Sequence, residues 1–281
     1  MRPVPVPPAA TRRPAEPVNP RFVALREAAR ALQPRTVSLR RSIHRNPELG
    51  LTLPRTQAAL LHALQGMPLE VSTGTGCSSV VAVLRGPRPG PTVLLRADMD
   101  ALPLTEATRL ECSSQVDGAM HACGHDTHTA MLVSAARVLC TRADALAGQV
   151  VFMFQPGEEG FHGARVMLEE GVLNAAGTPV SRALALHITA TISSGVVTCR
   201  PGTILATSDT FTVRVSGKGG HASAPHDALD PVPVAAAMVG ALQTMMARRV
   251  SVFSPAVLTV ARISAGTTTN IIPETAELEG T

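Results

Sequence analysis

The sequence predicts an α/β protein: a layered domain built on a mostly buried sheet, followed by a smaller α+β unit. Continuous apolar runs such as Val80-Val-Ala-Val-Leu-Arg85 and Gln149-Val-Val-Phe-Met-Phe154 alternate with helical stretches, as strands covered on both faces do. Beyond about Gly202 the pattern changes to strict alternation, as in Phe211-Thr-Val-Arg-Val-Ser216, which suits a sheet with one wet face. A length of 281 residues with 45% apolar content can fill one large core or two smaller ones.

The elements follow in order. Residues 1–20 carry Pro3, Pro5, Pro7, Pro8, Pro14, Pro17 and Pro20, which cannot join helix or sheet ladders, and are expected to form a disordered leader. Phe22 to Gln33 reads as an alanine-rich helix ended near Pro34, a second helical stretch runs to about His44, and a third spans Arg55 to Gln65. Val80–Arg85 and Thr92–Arg96 read as strands separated by the turn signal Gly86-Pro-Arg-Pro-Gly-Pro91. A helix from about His125 to Arg142 precedes the strands Gln149–Phe154 and Arg182–Leu186. In the second unit Phe211–Ser216 and the bend Gly217-Lys-Gly-Gly220 lead to a helix over Pro231–Arg249. The strands Ala256–Ile263 and Thr275–Gly280 then flank a loop holding Asn270 and Pro273. The expected domains are residues 21–201 and 202–281.

Composition excludes some partners. The formal net charge of +4 is spread along the chain, and with no tryptophan, no tyrosine and six phenylalanines the stacking surfaces of single-strand nucleic-acid binders are missing. No apolar run approaches the ~20 residues that span a bilayer, and the N-terminus has no secretory apolar region. Neither nucleic acid nor membrane is expected as a partner. Cys77, Cys112, Cys123, Cys140 and Cys199 are odd in number and lack a framework spacing, which favours a reducing, cytoplasmic setting.

The chemistry concentrates in His121-Ala-Cys-Gly-His125-Asp-Thr-His128, the pair Glu158-Glu159 and His187. Thiolate, imidazole and carboxylate are the donors that zinc, manganese or cobalt accept, and one glutamate would remain free as a base. Asp98 and Asp100, Glu158 and Glu159, and His187 each follow an expected strand, and open α/β sheets place ligands at the carboxyl ends of strands. Cys123 and His125 share one site only if they lie in the turn before the helix, where the macrodipole would favour the thiolate. Singly, Cys123 reads as a small buried hydrophobe and each histidine as a satisfied polar group. Joint placement favours a metallohydrolase. His44, His62, His128, His162 and His226 lack that convergence and read as structural or surface residues, and Asp98 and Asp100 stand between ligand and turn cap. A thiol hydrolase using Cys123 with His125 is a weaker reading that leaves Glu158 and Glu159 idle.

Six ordered segments resemble the amidohydrolase branch of the peptidase M20 family, which includes hippurate, N-acyl-amino-acid and auxin-conjugate hydrolases. They are Arg41-Ser-Ile-His-Arg-Asn-Pro-Glu-Leu-Gly50, Arg96-Ala-Asp-Met-Asp-Ala-Leu-Pro103, His121 to Met131, Phe154-Gln-Pro-Gly-Glu-Glu-Gly160, Gly219-Gly-His-Ala-Ser-Ala-Pro-His226 and Asn270-Ile-Ile-Pro273. The resemblance implies a zinc-peptidase-like catalytic domain with an inserted, ferredoxin-like lid that usually dimerises. It also implies two divalent ions, zinc or manganese, with cobalt or nickel as substitutes. Cys123 would occupy the bridging position, His125, Glu159 and His187 would bind the metals, and Glu158 would be the general base. Asp100 would orient a ligand, and His221, with Asn270, would stabilise an oxyanion in a neighbouring subunit. The implied substrate is an N-acyl amino acid, cleaved to an acid and an amino acid. In the family the chain returns from the lid and adds further core elements and a last histidine ligand. Here both domains are expected to stop short, and the alternative function is a catalytically silent relative that at most binds metal or a homologue.

Overall fold

The computed structural model describes residues 19–281, so the expected leader lies, save its last two residues, outside the described residues. The chain divides into two units between Ser194 and Gly195. The first contains α1 (Pro20–Arg45), α2 (Pro54–Leu64), β1 (Glu70–Thr73), β2 (Val80–Arg85), β3 (Arg88–Asp98), α3 (His125–Cys140), β4 (Ala147–Gln155), α4 (Gly163–Glu169) and β5 (Val180–Ala185).

These strands form one mixed sheet in the order β1-β2-β4-β3-β5. β1 and β4 flank β2 antiparallel, whereas β3 runs parallel to both β4 and β5. Alternate side chains of the same strands feed two cores, as the two-residue period of a strand requires. Val80, Ala82 and Leu84 of β2 and Val150, Phe152 and Phe154 of β4 pack with Leu60 and Leu64 of α2 and Leu132, Val133 and Ala136 of α3. Their neighbours Val81, Val83, Val151 and Met153 face Met167 of α4, Val172 and Ala176. Both faces of the sheet are therefore covered, which explains why its central strands read as unbroken apolar runs.

Two local expectations need correction. Pro34 lies inside one continuous helix, α1, and does not separate two. A proline there removes one backbone donor, but Leu39 beyond it packs on the core, and Thr36 Oγ1 donates to the Leu32 carbonyl at 3.0 Å and accepts from the Ser134 hydroxyl of α3 at 2.6 Å. Tertiary packing outweighs the local break. The turn at Gly86–Pro91 is also shorter than expected, because β3 already begins at Arg88 and resumes after an irregularity at Thr92.

A buried polar cluster pins α1 to the first turn of α3. Arg40 Nε and His44 Nδ1 lie 2.6 and 2.8 Å from the same oxygen of Asp126, whose side chain is wholly buried. His44 Nε2 lies 3.3 Å from Glu106. Since Asp126 follows His125 directly, this cluster also fixes the start of the helix that carries the candidate metal ligand.

The second unit holds β6 (Phe211–Ser216), β7 (Gly220–His221), α5 (Pro231–Arg249), β8 (Val260–Ala265), β9 (Ile271–Ile272) and β10 (Thr275–Gly280). β10 pairs antiparallel with β6 and β8, and β7 pairs with β9. Asp230 caps α5 by accepting the Val232 N–H at 2.9 Å, with Pro231 at the first helical position. Ala235 of α5 packs with Ala276 and Leu278 of β10, the inward-facing half of an alternating strand.

Phe152 is completely buried between α2, α3 and the sheet. Phe152→Ala is expected to cost about 3–5 kcal/mol in urea denaturation, and a loss below about 1 kcal/mol would mean that this layer is not the core. The Asp126 hydrogen bond raises the pKa of His44 above its ordinary 6.5. A raised folded-state value stabilises fully below the unfolded pKa and loses that effect as pH rises through the folded one. The stability gap between the chain and its His44→Asn variant should thus be widest near about pH 6 and shrink by about pH 9. A gap that stays constant over this range contradicts a charged pair.

Candidate metal centre

The parallel register sets the site. Asp98, the last residue of β3, lies opposite Gln155, the last of β4, and Arg96 lies opposite Ala185, the last of β5. The loops leaving these ends carry Asp100, Glu158, Glu159 and His187, and α3 begins beside them with His125.

His125 stands at the centre. It is fully buried, and neither ring nitrogen has a hydrogen-bond partner. Its Nε2 lies 3.7 Å from Asp98, 3.9 Å from Glu158 and 3.9 Å from Glu159, and its Nδ1 lies 3.6 Å from Asp100. Three groups of donors converge closely enough to hold an ion among the described residues, and each includes His125: with Cys123 and His187, with Asp98 and His128, and with Glu158 and Glu159. A buried imidazole without partners is costly unless something else satisfies it. The donor set fits a divalent cation on this ground.

Each neighbour is held in turn. Asp100 is buried, and its two oxygens accept the N–H groups of Glu158 and Glu159 at 2.9 and 3.0 Å. One carboxylate thereby fixes the backbone of both glutamates. Cys123 Sγ lies 3.4 Å from His187 Nε2, and His187 Nδ1 donates to the Ile188 carbonyl at 2.5 Å. That bond fixes the tautomer of His187, leaving the Nε2 lone pair directed at the thiol. Gly124, between Cys123 and His125, adopts φ +84° at the N-cap of α3. A Cβ built there would collide with the Ile188 side chain, so the turn that joins the two donors depends on glycine.

The electrostatics correct one expectation. Burial, then Glu159 and Glu158, pushes the Cys123 thiol up to about 12, so the helix terminus does not favour the thiolate by itself. The carboxylates outweigh the macrodipole, and a cation is what would restore the anionic ligand. Burial pulls His125 down, but Asp100, Asp98 and Glu159 outweigh it and raise its pKa. Burial, followed by Glu159, raises Glu158. Burial raises Cys123 and Glu158 and lowers His125, while the neighbouring carboxylates raise all three.

Sequence reasoning leaves Asp98 between ligand and turn cap and reads His128 as a structural or surface residue; the structure joins them as a buried pair. His128 Nδ1 lies 2.6 Å from Asp98 Oδ1, while Arg96 reaches the other oxygen at 3.0 Å. The available signal was the spacing of His125 and His128, which places them on one face of the first turn of α3. His221 and Asn270 belong to the second unit, where β7 and β9 bring them together: His221 pairs with Ile271, and the Ala222 N–H donates to the Asn270 carbonyl at 3.1 Å.

Comparison with known proteins shows the family. The chain is 43% identical over 245 residues to thermostable carboxypeptidase 2 of Saccharolobus solfataricus, covering 86% of this chain and 61% of that protein. It is 39% identical over 246 residues to N-acetylcysteine deacetylase of Bacillus subtilis, covering 86% and 63%. It thus spans about three-fifths of the length of these relatives. The crystal structure of the Bacillus subtilis YXEP protein, described as a dinuclear metal-binding peptidase of the M20 family, superposes with a TM-score of 0.70 at 35% identity, covering 89% of this chain and 64% of that one. The model of peptidase family M20/M25/M40 matches residues 94–277, about two-thirds of the chain and the whole of the donor cluster, and the chain belongs to that family.

Proposed function

We propose that the protein is a metal-dependent amidohydrolase that cleaves N-acyl amino acids to a carboxylic acid and an amino acid. The observation that carries this reading is His125, buried without a partner and common to every donor group of the cluster. The name of the Bacillus subtilis relative supports the substrate class, since N-acetylcysteine is an N-acyl amino acid.

Cys123, His125, Glu159 and His187 would hold two divalent ions. Thiolate and imidazole suit zinc, and the carboxylate-rich remainder also suits manganese. When bound, such ions supply Lewis acidity toward an amide carbonyl and toward water. Glu158 then has the more open carboxylate of the pair, its side chain 43% exposed against 22% for Glu159, which suits a base that must meet water. It takes the proton of the attacking water and returns it to the leaving amine. Asp100 orients Glu158 and Glu159 through their backbone. In this reading the second unit is a lid through which two copies associate, and His221, helped by Asn270, donates to the oxyanion. The five free cysteines support a reducing, cytoplasmic setting.

The thiol-hydrolase reading loses support from the Cys123 thiol, pushed to about 12 by burial and the two glutamates. The test is hydrolysis of a panel of N-acyl amino acids by the purified chain with added manganese or zinc. Turnover is expected to stop with chelator, and Glu158→Gln should lower kcat by about 10²–10⁴-fold with metal content unchanged. A folded, metal-loaded sample without turnover would instead favour a chain that binds metal and does no chemistry. Normal turnover by the glutamine variant would remove Glu158 from the role of base.

A further inference from the structure

We propose that His128 is a positioning residue for His187, acting through the backbone of Ile188; this rests on the metal-centre reading above. A continuous line of hydrogen bonds runs behind the donor cluster. Arg96 lies 3.0 Å from one oxygen of Asp98, and His128 Nδ1 donates to the other at 2.6 Å. His128 Nε2 then accepts the Ile188 N–H at 2.9 Å, and the Ile188 carbonyl accepts from His187 Nδ1 at 2.5 Å.

The direction of each bond is fixed by chemistry. The Ile188 N–H can only donate, so Nε2 of His128 carries the lone pair and Nδ1 the proton, which the Asp98 carboxylate receives. Both nitrogens of His128 are then engaged, and it has no lone pair left for an ion despite standing near His125. Its ring stands beside both: centroids are 5.5 Å from His125 and 4.9 Å from His187. A second, independent contact holds the same segment, since the Ile188 side chain closes over Gly124, where no Cβ fits. Ile188 is thus held from α3 by His128, and its side chain lies against Gly124.

The consequence is specific. β5 ends at Ala185 on the edge of the sheet, so no further strand pairing steadies His187. The His128 bond substitutes for that pairing and aims Nε2 of His187 at Cys123 Sγ. Asp98 contributes by making His128 a stronger acceptor-side anchor, while its own charge is balanced by Arg96.

The test uses cobalt as the ion, with its visible and thiolate charge-transfer bands as readout and urea unfolding of the metal-free protein as a measure of folding. His128→Leu removes both bonds; His128→Gln keeps an acceptor and a donor of suitable reach; His128→Asn is polar and too short. Folded His128→Leu is expected to bind cobalt about 10–100-fold more weakly with altered bands, glutamine should recover most of this, and asparagine should resemble leucine. Where the leucine variant does not fold, the glutamine and asparagine pair decides. Parental affinity and bands in the leucine or asparagine variant overturn the inference. Equal loss in all three variants overturns it too, because it would place His128 among the ligands. A parent that binds no cobalt brings down the metal reading, and this inference with it.

Discussion

The parallel pairing of β3 with β4 and β5 is the constraint on which the rest depends. Parallel neighbours end at the same edge, so three strands that leave the sheet side by side must release their loops into one volume. The register between Asp98 and Gln155 and between Arg96 and Ala185 fixes which residues emerge first. A slip of one residue would turn Asp98 away from His128 and transfer the inward residues of both cores to the wrong faces. The apolar core and the polar cluster are therefore two results of one register.

Charge decides what that volume can hold. Asp98, Asp100, Glu158, Glu159 and Cys123 approach a single buried imidazole, and the local cations among them are Arg96 and whatever proton His125 keeps. Such a cluster is stable in its anionic form only with additional positive charge. The upward shifts of Cys123 and Glu158 are the response of the polypeptide alone. Arg96 balances the charge of Asp98 and His128 donates to it, which reserves it as an anchor and separates its role from that of the donors facing His125.

Much of this was legible in the sequence. The apolar runs marked β2, β4 and β6 within two residues at each end, the ligand types and their positions after strands marked the cluster, and the start of α5 falls at Pro231 as expected. What escaped reading depended on contacts distant in the chain. Pro34 is tolerated because Leu39 and Thr36 dock on other elements, and the Cys123 thiol rises because it is partly buried and because Glu159 and Glu158 arrive from another loop. His128 carries no mark of its own, because its role exists only once Asp98 and Ile188 stand on either side of it. Strands as short as β1, β7 and β9 offer too few residues for a period to show.

The path of the chain also bears on how the centre comes into being. β4 forms beside β3, and the connection through α4 then crosses to the far side of β3 to lay down β5, so His187 joins residues that left the ribosome many residues earlier. Contacts of such long range form late in folding, after the local hairpins and helices. An ion that needs His187 cannot be gripped by the partly folded chain, and its binding energy falls wholly on the finished sheet. Occupancy of the centre would then act as a latch on β5, an edge strand of the sheet that is paired on one side alone.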